Sequence, residues 1–119
     1  MVDRPHPKRG EVWWVKPGKT KGAELQKKRP YVVISADVMG NVPVKIVVPL
    51  KSWQDRFEGL AWVVRIEPTP ANGLTRTEAA DVMQVRSFDT SKFEKKQGRL
   101  SADELEEITA ALAIVVEYV

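Results

Sequence analysis

Lysine and arginine side chains are concentrated in the first quarter of the chain. Residues 1–30 contain nine of them and only three acids, a net charge of +6, whereas the whole 119-residue chain has a formal net charge of +3. This uneven distribution indicates a basic surface that faces a polyanion, although a lysine-rich solubilising loop would give the same pattern. Residues 16–28 carry five of the lysines together with Pro17, Gly18 and Gly22, and are predicted to form a long loop. Loops of this length in compact domains tend to be functional or disordered.

Arg29 comes directly after this loop and directly before Pro30, which restricts the backbone beside it. A guanidinium offers planar, bidentate donors to phosphate oxygens and stays charged under nearly any condition. At Arg29 these properties suit the stabilisation of negative charge better than proton donation. A surface arginine in a basic loop is the alternative.

Several common catalytic groups are absent from the sequence. The chain has no cysteine, its one histidine (His6) lies between two prolines, and it contains no Walker loop and no Gly-x-Ser-x-Gly segment. Any enzymatic activity must therefore use arginine, lysine, carboxylates and hydroxyls, and no metal or cofactor is predicted. RNA cleavage is compatible with this set because the substrate supplies its own 2′-hydroxyl nucleophile, which the enzyme has only to align and activate.

Five short segments are predicted to be strands because they are rich in β-branched and aromatic residues. They are residues 11–15, 30–35, 44–48, 61–66 and 78–85. A second polar loop is predicted at residues 51–60, in which Trp53 and Phe57 either stack on nucleobases or pack against the sheet. Trp62, in the fourth strand, is predicted to belong to the core.

The C-terminal segment is predicted to be an amphipathic helix. Ser101 and Glu104 have the spacing of a capping box, in which each side chain bonds to the backbone of the other. Apolar residues then recur at spacings of three and four, which is typical of one buried helix face. They are Leu105, Ile108, Leu112, Val115, Val116 and Val119. Five strands and this helix predict a mainly β chain of the α+β class, with a bent sheet or barrel whose open side the helix covers.

The length predicts one domain spanning residues 1–119, with residues 1–8 flexible. No apolar run approaches the roughly 20 residues that a membrane-spanning helix needs. The N-terminus has no apolar core of a secretory signal, so a cytoplasmic location and no membrane partner are predicted.

The sequence resembles the MazF/PemK toxins of type II toxin–antitoxin systems from Arg9 to the C-terminal helix. The matching pieces are Arg9-Gly-Glu-Val-Trp13, Lys21-Gly-Ala-Glu24, Lys28-Arg29-Pro30-Tyr-Val-Val-Ile-Ser35, Val47-Val-Pro-Leu50, Gly73-Leu74 and Gln84-Val-Arg-Ser-Phe-Asp89. Their order and spacing carry the resemblance. It implies an SH3-like barrel of the MazF/CcdB type, a homodimer with single-stranded RNA in a groove across the dimer face, and an inhibiting antitoxin. It also implies sequence-selective cleavage that leaves 2′,3′-cyclic phosphate and 5′-hydroxyl ends.

The resemblance also implies roles for particular residues. Arg29 matches the arginine that acts on the scissile phosphate, and Glu24 matches a loop acid that orients this arginine or accepts a proton. Lys51 and Ser52 complete the predicted catalytic set. The residues predicted to bind RNA are Lys19, Lys21, Lys27, Lys28, Trp53, Asp81 and Gln84.

Two positions depart from the family pattern. Lys51 stands where many members have Thr or Ser, so either the lysine replaces that hydroxyl or Ser52 supplies it. Met83 stands where an acid often precedes the glutamine, and Asp81, two residues earlier and on the same strand face, is the predicted substitute. These departures leave open a degenerate relative that binds RNA without cutting it. The apolar, acidic C-terminal tail leaves open a CcdB-like gyrase poison.

Overall fold

A bent antiparallel sheet and one C-terminal α-helix form the part of the chain that the structure, a computed structural model, describes: residues 5–18, 27–40 and 42–118. The strands are β1 (Glu11–Val15), β2 (Arg29–Val33), β3 (Val44–Ser52), β4 (Val63–Ile66), β5 (Glu78–Asp81), β6 (Arg86–Asp89) and β7 (Phe93–Arg99), and the helix is α1 (Ala102–Val115). The sheet order is β4-β5-β3-β2-β1-β7, with β6 also paired to β3. The mainly β class with a C-terminal helix is confirmed, but the described residues form seven strands rather than the predicted five.

Strand β3 is longer than the sequence predicts. Its first part pairs with β2 and β6, and its last three residues pair with β5 through Leu50↔Ala80 and Ser52↔Glu78. Pro49, which has no N–H to donate, lies between the segment paired with β6 and the segment paired with β5. Lys51 and Ser52 are therefore strand residues, and the predicted 51–60 loop begins only after them.

The predicted strand 78–85 is two elements. Strand β5 ends at Asp81, whose carboxylate accepts a hydrogen bond from the Met83 N–H at 3.2 Å. This local bond diverts the backbone into a 3-10 turn at Val82–Gln84, and β6 starts at Arg86. Strands β6 and β7 were not predicted, because their short or polar sequences lack an apolar alternation.

Two apolar clusters lie on opposite faces of the central strands, as the alternation of side chains along a strand requires. The larger one lies between the sheet and α1, and includes Val12, Val32, Val48, Leu50, Ile66, Leu105 and Ile108. The smaller one contains Val15, Tyr31, Val33, Val47, Phe88 and Phe93. Trp62 is 39% exposed, so its predicted place in the core is wrong: it precedes β4 and contributes a backbone carbonyl, not its ring, to the turn at Val82.

The helix begins as predicted. Ser101 Oγ accepts a hydrogen bond from the Glu104 N–H at 3.1 Å, and Glu104 Oε1 accepts one from the Ser101 N–H at 2.8 Å. Leu105 and Ile108 are buried, whereas Val116 is exposed because it follows the end of the helix. Val119 lies outside the described residues, and Pro7, within the segment predicted to be flexible, is fully buried. In the described ranges, no helix has both the length and the apolar character needed to cross a bilayer.

The buried carboxylate of Glu11 joins β1 to β7 and to the segment before it. It accepts hydrogen bonds from the Lys8 N–H at 2.8 Å and from Trp13 Nε1 at 3.0 Å, and Lys96 Nζ lies 2.8 Å away. Burial opposes its ionised form, but these bonds outweigh that effect and hold the pKa of Glu11 below its ordinary value of 4.5. A group with a lowered pKa stabilises the fold above its unfolded pKa, and the stabilisation is lost as the pH falls through the folded pKa.

We therefore expect Glu11→Gln to lower the free energy of unfolding at neutral pH by about 1.5–3 kcal/mol. The difference from wild type should begin to shrink as the pH falls below 4.5, where the unfolded wild-type carboxyl becomes protonated, and should shrink further as the pH falls through the lower pKa of the folded protein. Urea unfolding at pH 7 and at about pH 3 measures both effects. Glu107→Gln, on the exposed face of α1, is the matched control and should change little at either pH. A Glu11→Gln deficit that stays constant with pH would contradict the electrostatic explanation.

Candidate RNA-binding clefts

Two clefts open at one end of the sheet and share three cationic side chains, Lys27, Arg29 and Lys51. The first, here called the tryptophan cleft, has a volume of about 350 Å³. Its other walls include Trp14, Leu50, Ser52, Leu74, Glu78 and Gln97. The second, the tyrosine cleft, has a volume of about 690 Å³ and is lined further by Tyr31, Pro49, Met83, Gln84 and Arg86.

Strand register explains why Arg29 and Lys51 lie near each other. Strands β2 and β3 pair through Tyr31↔Pro49, and extending this register by two residues sets Arg29 opposite Lys51. Each is two residues from its member of that pair, so both side chains project from the same face of the sheet as Tyr31. Pro30 is buried, which fixes the backbone at Arg29. Within the described residues, no carboxylate forms an ion pair with Arg29.

Lys51 is held by Asp81. The two groups form an ion pair of 2.8 Å between Lys51 Nζ and Asp81 Oδ2, with 32% and 13% of the respective side chains exposed. Lys51 pairs with Ala79 in the sheet, so Asp81 is its diagonal neighbour on the same face. The carboxylate is therefore occupied by Lys51 and by the Met83 N–H rather than pointing freely into a cleft. Asp81, which was predicted to bind RNA directly, is therefore connected to the clefts only through Lys51.

Ser52 and Glu78 form a cross-strand pair on the other face, within the tryptophan cleft. Only 8% of the Glu78 side chain is exposed, and its Oε1 accepts a hydrogen bond from Arg76 Nε at 3.1 Å. Its Oε2 is buried and has no hydrogen-bond partner within residues 5–18, 27–40 and 42–118. Native structures rarely leave a buried polar atom unsatisfied, so this oxygen requires an explanation.

Trp14 forms a fixed wall of the same cleft. Its Nε1 donates a hydrogen bond to Gln97 Oε1 at 2.7 Å, and Gln97 Nε2 donates to the carbonyl of Gly73. Gly73 has a φ of +68°, and a Cβ there would collide with the carbonyl oxygen of Gln97. The close approach of this turn to β7 therefore needs glycine, and it holds Gln97 and the indole in place.

Tyr31 and Arg86 give the tyrosine cleft its polar character. Tyr31 packs edge-on against Phe88, with ring centroids 5.1 Å apart, and the Arg86 guanidinium lies 4.2 Å from the centre of the Phe88 ring. Burial raises the pKa of Tyr31, although the neighbouring cations Arg86 and Arg29 oppose the shift. The hydroxyl thus stays protonated at neutral pH and is available as a hydrogen-bond donor.

The structure brings together some of the other predicted residues and not others. Lys27 and Gln84 are exposed and line the clefts. Lys28 lines the tryptophan cleft as well, and it also pairs with Glu94 at 2.6 Å and lowers the pKa of that carboxyl. Trp53 lines neither cleft: it packs edge-on against Phe57, and the Arg65 guanidinium lies 5.0 Å from its ring centre. Lys19, Lys21 and Glu24 lie outside the described residues.

Sequence patterns gave no signal for three residues of the tryptophan cleft, Arg76, Glu78 and Gln97. A glutamate at the start of a strand is ordinarily solvated, and the burial of Glu78 depends on β3 extending to Ser52, which was not predicted. Within residues 5–18, 27–40 and 42–118, no three His, Cys, Asp or Glu side chains are grouped so as to hold a metal ion.

Comparisons with known proteins identify relatives of this chain. A family model described as "PemK-like, MazF-like toxin of type II toxin-antitoxin system" matches residues 8–116. Endoribonuclease MazF9 of Mycobacterium tuberculosis is 30% identical over 113 residues, which cover 90% of this chain and 93% of that relative.

Solved structures share the fold at lower sequence identity. An endoribonuclease in complex with its cognate antitoxin from a mycobacterial species matches with a TM-score of 0.75 at 16% identity, covering 96% of this chain and 98% of that one. MazF from Deinococcus radiodurans matches with a TM-score of 0.73 at 22% identity, covering 93% and 96%.

Proposed function

Because the chain belongs to the PemK-like, MazF-like toxin family of type II toxin–antitoxin systems, we propose that it is a toxin endoribonuclease that cuts single-stranded RNA at the junction of its two clefts. The observation that carries the site assignment is the position of Arg29 and Lys51, which line both clefts at their shared edge. A scissile phosphate bound there would lie between two cations, with the flanking nucleotides directed into one cleft each.

The proposed reaction is transesterification followed by release of two ends. The 2′ oxygen loses its proton and bonds to phosphorus, the bond from phosphorus to the 5′ oxygen breaks, and the leaving oxygen takes up a proton. The products are a 2′,3′-cyclic phosphate and a 5′-hydroxyl. Negative charge grows on the non-bridging oxygens in the transition state, and preorganised cations at that position lower the barrier.

Arg29 has the geometry for this role, since it has no carboxylate partner among the described residues and carries a fork of donors. Lys51 adds a second charge whose position Asp81 fixes. Glu24, outside the described residues, remains the proposed proton acceptor on the family resemblance. The proposed activity needs no metal or cofactor, because the nucleophile is part of the substrate.

The proposal includes two protein partners. An antitoxin with an acidic segment would occupy the cationic junction and compete with RNA, as a polyanion mimic that orders on binding. A homodimer would extend the groove across two copies. Exposed apolar side chains at Val38, Met39, Val42, Val44 and Ile46 offer one surface for such association. A cytoplasmic location follows from the proposed substrate and partner.

Incubation of the purified protein with a long single-stranded RNA in excess EDTA tests the activity. We expect discrete cuts, and end-mapping should find a 2′,3′-cyclic phosphate upstream and a 5′-hydroxyl downstream of each. Circular dichroism and mass spectrometry establish beforehand that the protein is folded and free of antitoxin. Intact RNA under these conditions would overturn the nuclease proposal in favour of an RNA-binding relative that does not cleave. Inhibition of DNA gyrase by the same preparation would support a CcdB-like activity instead.

A further inference from the structure

The tryptophan cleft contains a buried carboxylate oxygen, Oε2 of Glu78, that has no hydrogen-bond partner among the described residues. Building on the proposed RNA substrate, we propose that this cleft is a pocket for one guanine base and that Glu78 binds the Watson–Crick edge of that base. Glu78 would then be a specificity-determining residue, acting beside the phosphate site rather than in the chemistry itself.

The first argument is the state of the Glu78 carboxylate. Its Oε1 accepts a hydrogen bond from Arg76 Nε, while its Oε2 is buried and has no partner in the part of the chain that the structure describes. Only 8% of the side chain is exposed. An unpartnered buried acceptor is costly, and the cost is recovered when a ligand supplies a donor. Arg76, 67% of which is exposed, holds Oε1 from the solvent side. Glu78 itself lines the tryptophan cleft.

The second argument is the shape and wall chemistry of the cleft. Its volume of about 350 Å³ lies in the range of roughly 300–1,000 Å³ that is typical of small-molecule pockets. Trp14, Leu50 and Leu74 supply apolar and aromatic surface, and aromatic rings are the usual stacking partners of unpaired bases. Gln97 fixes the orientation of the indole, so the stacking surface is rigid before RNA arrives.

The third argument is the position of the cations. Arg29 and Lys51 line the same cleft as Glu78, so a nucleotide whose phosphate binds these two residues has its base within reach of the interior. Ser52, the cross-strand neighbour of Glu78, lies on the same face of the sheet. The amide oxygen of Gln97 already accepts from Trp14 and its nitrogen donates to Gly73, whereas Glu78 Oε2 is an acceptor without a partner among the described residues.

Guanine is the base whose hydrogen-bonding edge fits a carboxylate. Its N1–H and its N2 amino group are adjacent donors, whereas adenine and cytosine place an acceptor nitrogen beside their amino group. Uracil flanks its N3–H with two carbonyl oxygens. A carboxylate accepts only, so it attracts the guanine edge and repels the acceptors of the other three.

Binding to cleavage-resistant RNA tests this inference separately from the nuclease activity. The probes are 2′-O-methyl uridine octamers with one central guanosine, inosine, adenosine or cytidine. Fluorescence anisotropy should show the guanosine octamer bound most tightly. Inosine, which lacks only the N2 amino group, should bind about 10-fold more weakly, the loss expected for one hydrogen bond to a charged group. In Glu78→Gln the preference for guanosine over inosine should collapse to near unity.

Matched controls separate recognition from general damage. Glu67→Gln removes an exposed carboxylate that bonds to Arg65 and Thr77 outside both clefts, and it should keep the wild-type preference. A 7-deazaguanosine probe, altered away from the Watson–Crick edge, should bind wild type like guanosine. Equal binding of guanosine and inosine by wild type would overturn the inference even if Glu78→Gln does not fold. An equal loss of binding for all four probes in a folded Glu78→Gln would overturn it as well. Failure of RNA cleavage alone would affect the proposed function and not this result.

Discussion

Replacing Arg29 by alanine is expected to lower kcat for RNA cleavage by about 10²–10³-fold, the cost of removing one preorganised donor from a charged transition state. Arg29 lies at the shared edge of the two clefts, and no described carboxylate neutralises it. The loss should exceed the loss of RNA affinity, because the ground-state phosphate retains Lys27 and Lys51 nearby. Single-turnover cleavage with saturating protein separates the two quantities.

Two further variants sharpen this prediction. Arg29→Lys keeps the charge but loses the planar fork of donors, so its rate should lie between those of wild type and Arg29→Ala. Arg56→Ala is the matched control, since Arg56 is exposed, bonds to Gln54 and lies over the Phe57 ring away from both clefts. Unchanged cleavage by a folded Arg29→Ala protein would move the reaction away from the cleft junction.

The predictable parts of the fold are those that local interactions decide. The capping box at Ser101 and the spacing of Leu105 and Ile108 specify the start and the buried face of α1 within one short segment. Strand β7 shows the opposite case. Its sequence, Phe93–Arg99, is mostly polar and exposed, and it becomes a strand by pairing with β1, whose residues lie 78 to 88 positions earlier. Such long-range pairing leaves no periodic signal in the strand itself.

The residues of the site also differ in whether they could be predicted from the sequence. The family resemblance located Arg29, Lys51 and Ser52, and the structure brings all three to one cleft. It did not locate Glu78, because the burial of that carboxylate arises from the pairing of β3 with β5. Trp53, which was predicted to bind RNA, lies outside both clefts, where its ring contacts Phe57 and Arg65.

The choice between Lys51 and Ser52 as the replacement for the family's usual hydroxyl follows from strand geometry. Adjacent residues of a strand point to opposite faces. Lys51 projects from the same face as Tyr31 and, by extension of the register, lies opposite Arg29. Ser52 pairs with Glu78 on the other face. The ammonium of Lys51 is thus the group positioned to share a phosphate with Arg29, and Ser52 is positioned toward the base pocket.

We therefore expect Lys51→Ala to lower kcat by about 10²-fold, as for the loss of one electrostatic donor, and Ser52→Ala to lower it only a few-fold. Asp81 loses its ion pair in Lys51→Ala, so Lys51→Ala/Asp81→Asn, which removes both charges, checks that the loss is not due to an uncompensated carboxylate. Single-turnover cleavage of one RNA by the three variants decides the matter, with thermal unfolding confirming that each is folded. A larger loss in Ser52→Ala than in Lys51→Ala would mean that the hydroxyl has shifted by one residue and that the lysine only binds. Recovery of activity in the double variant would place the effect of Lys51 in neutralising Asp81 rather than in stabilising the phosphate.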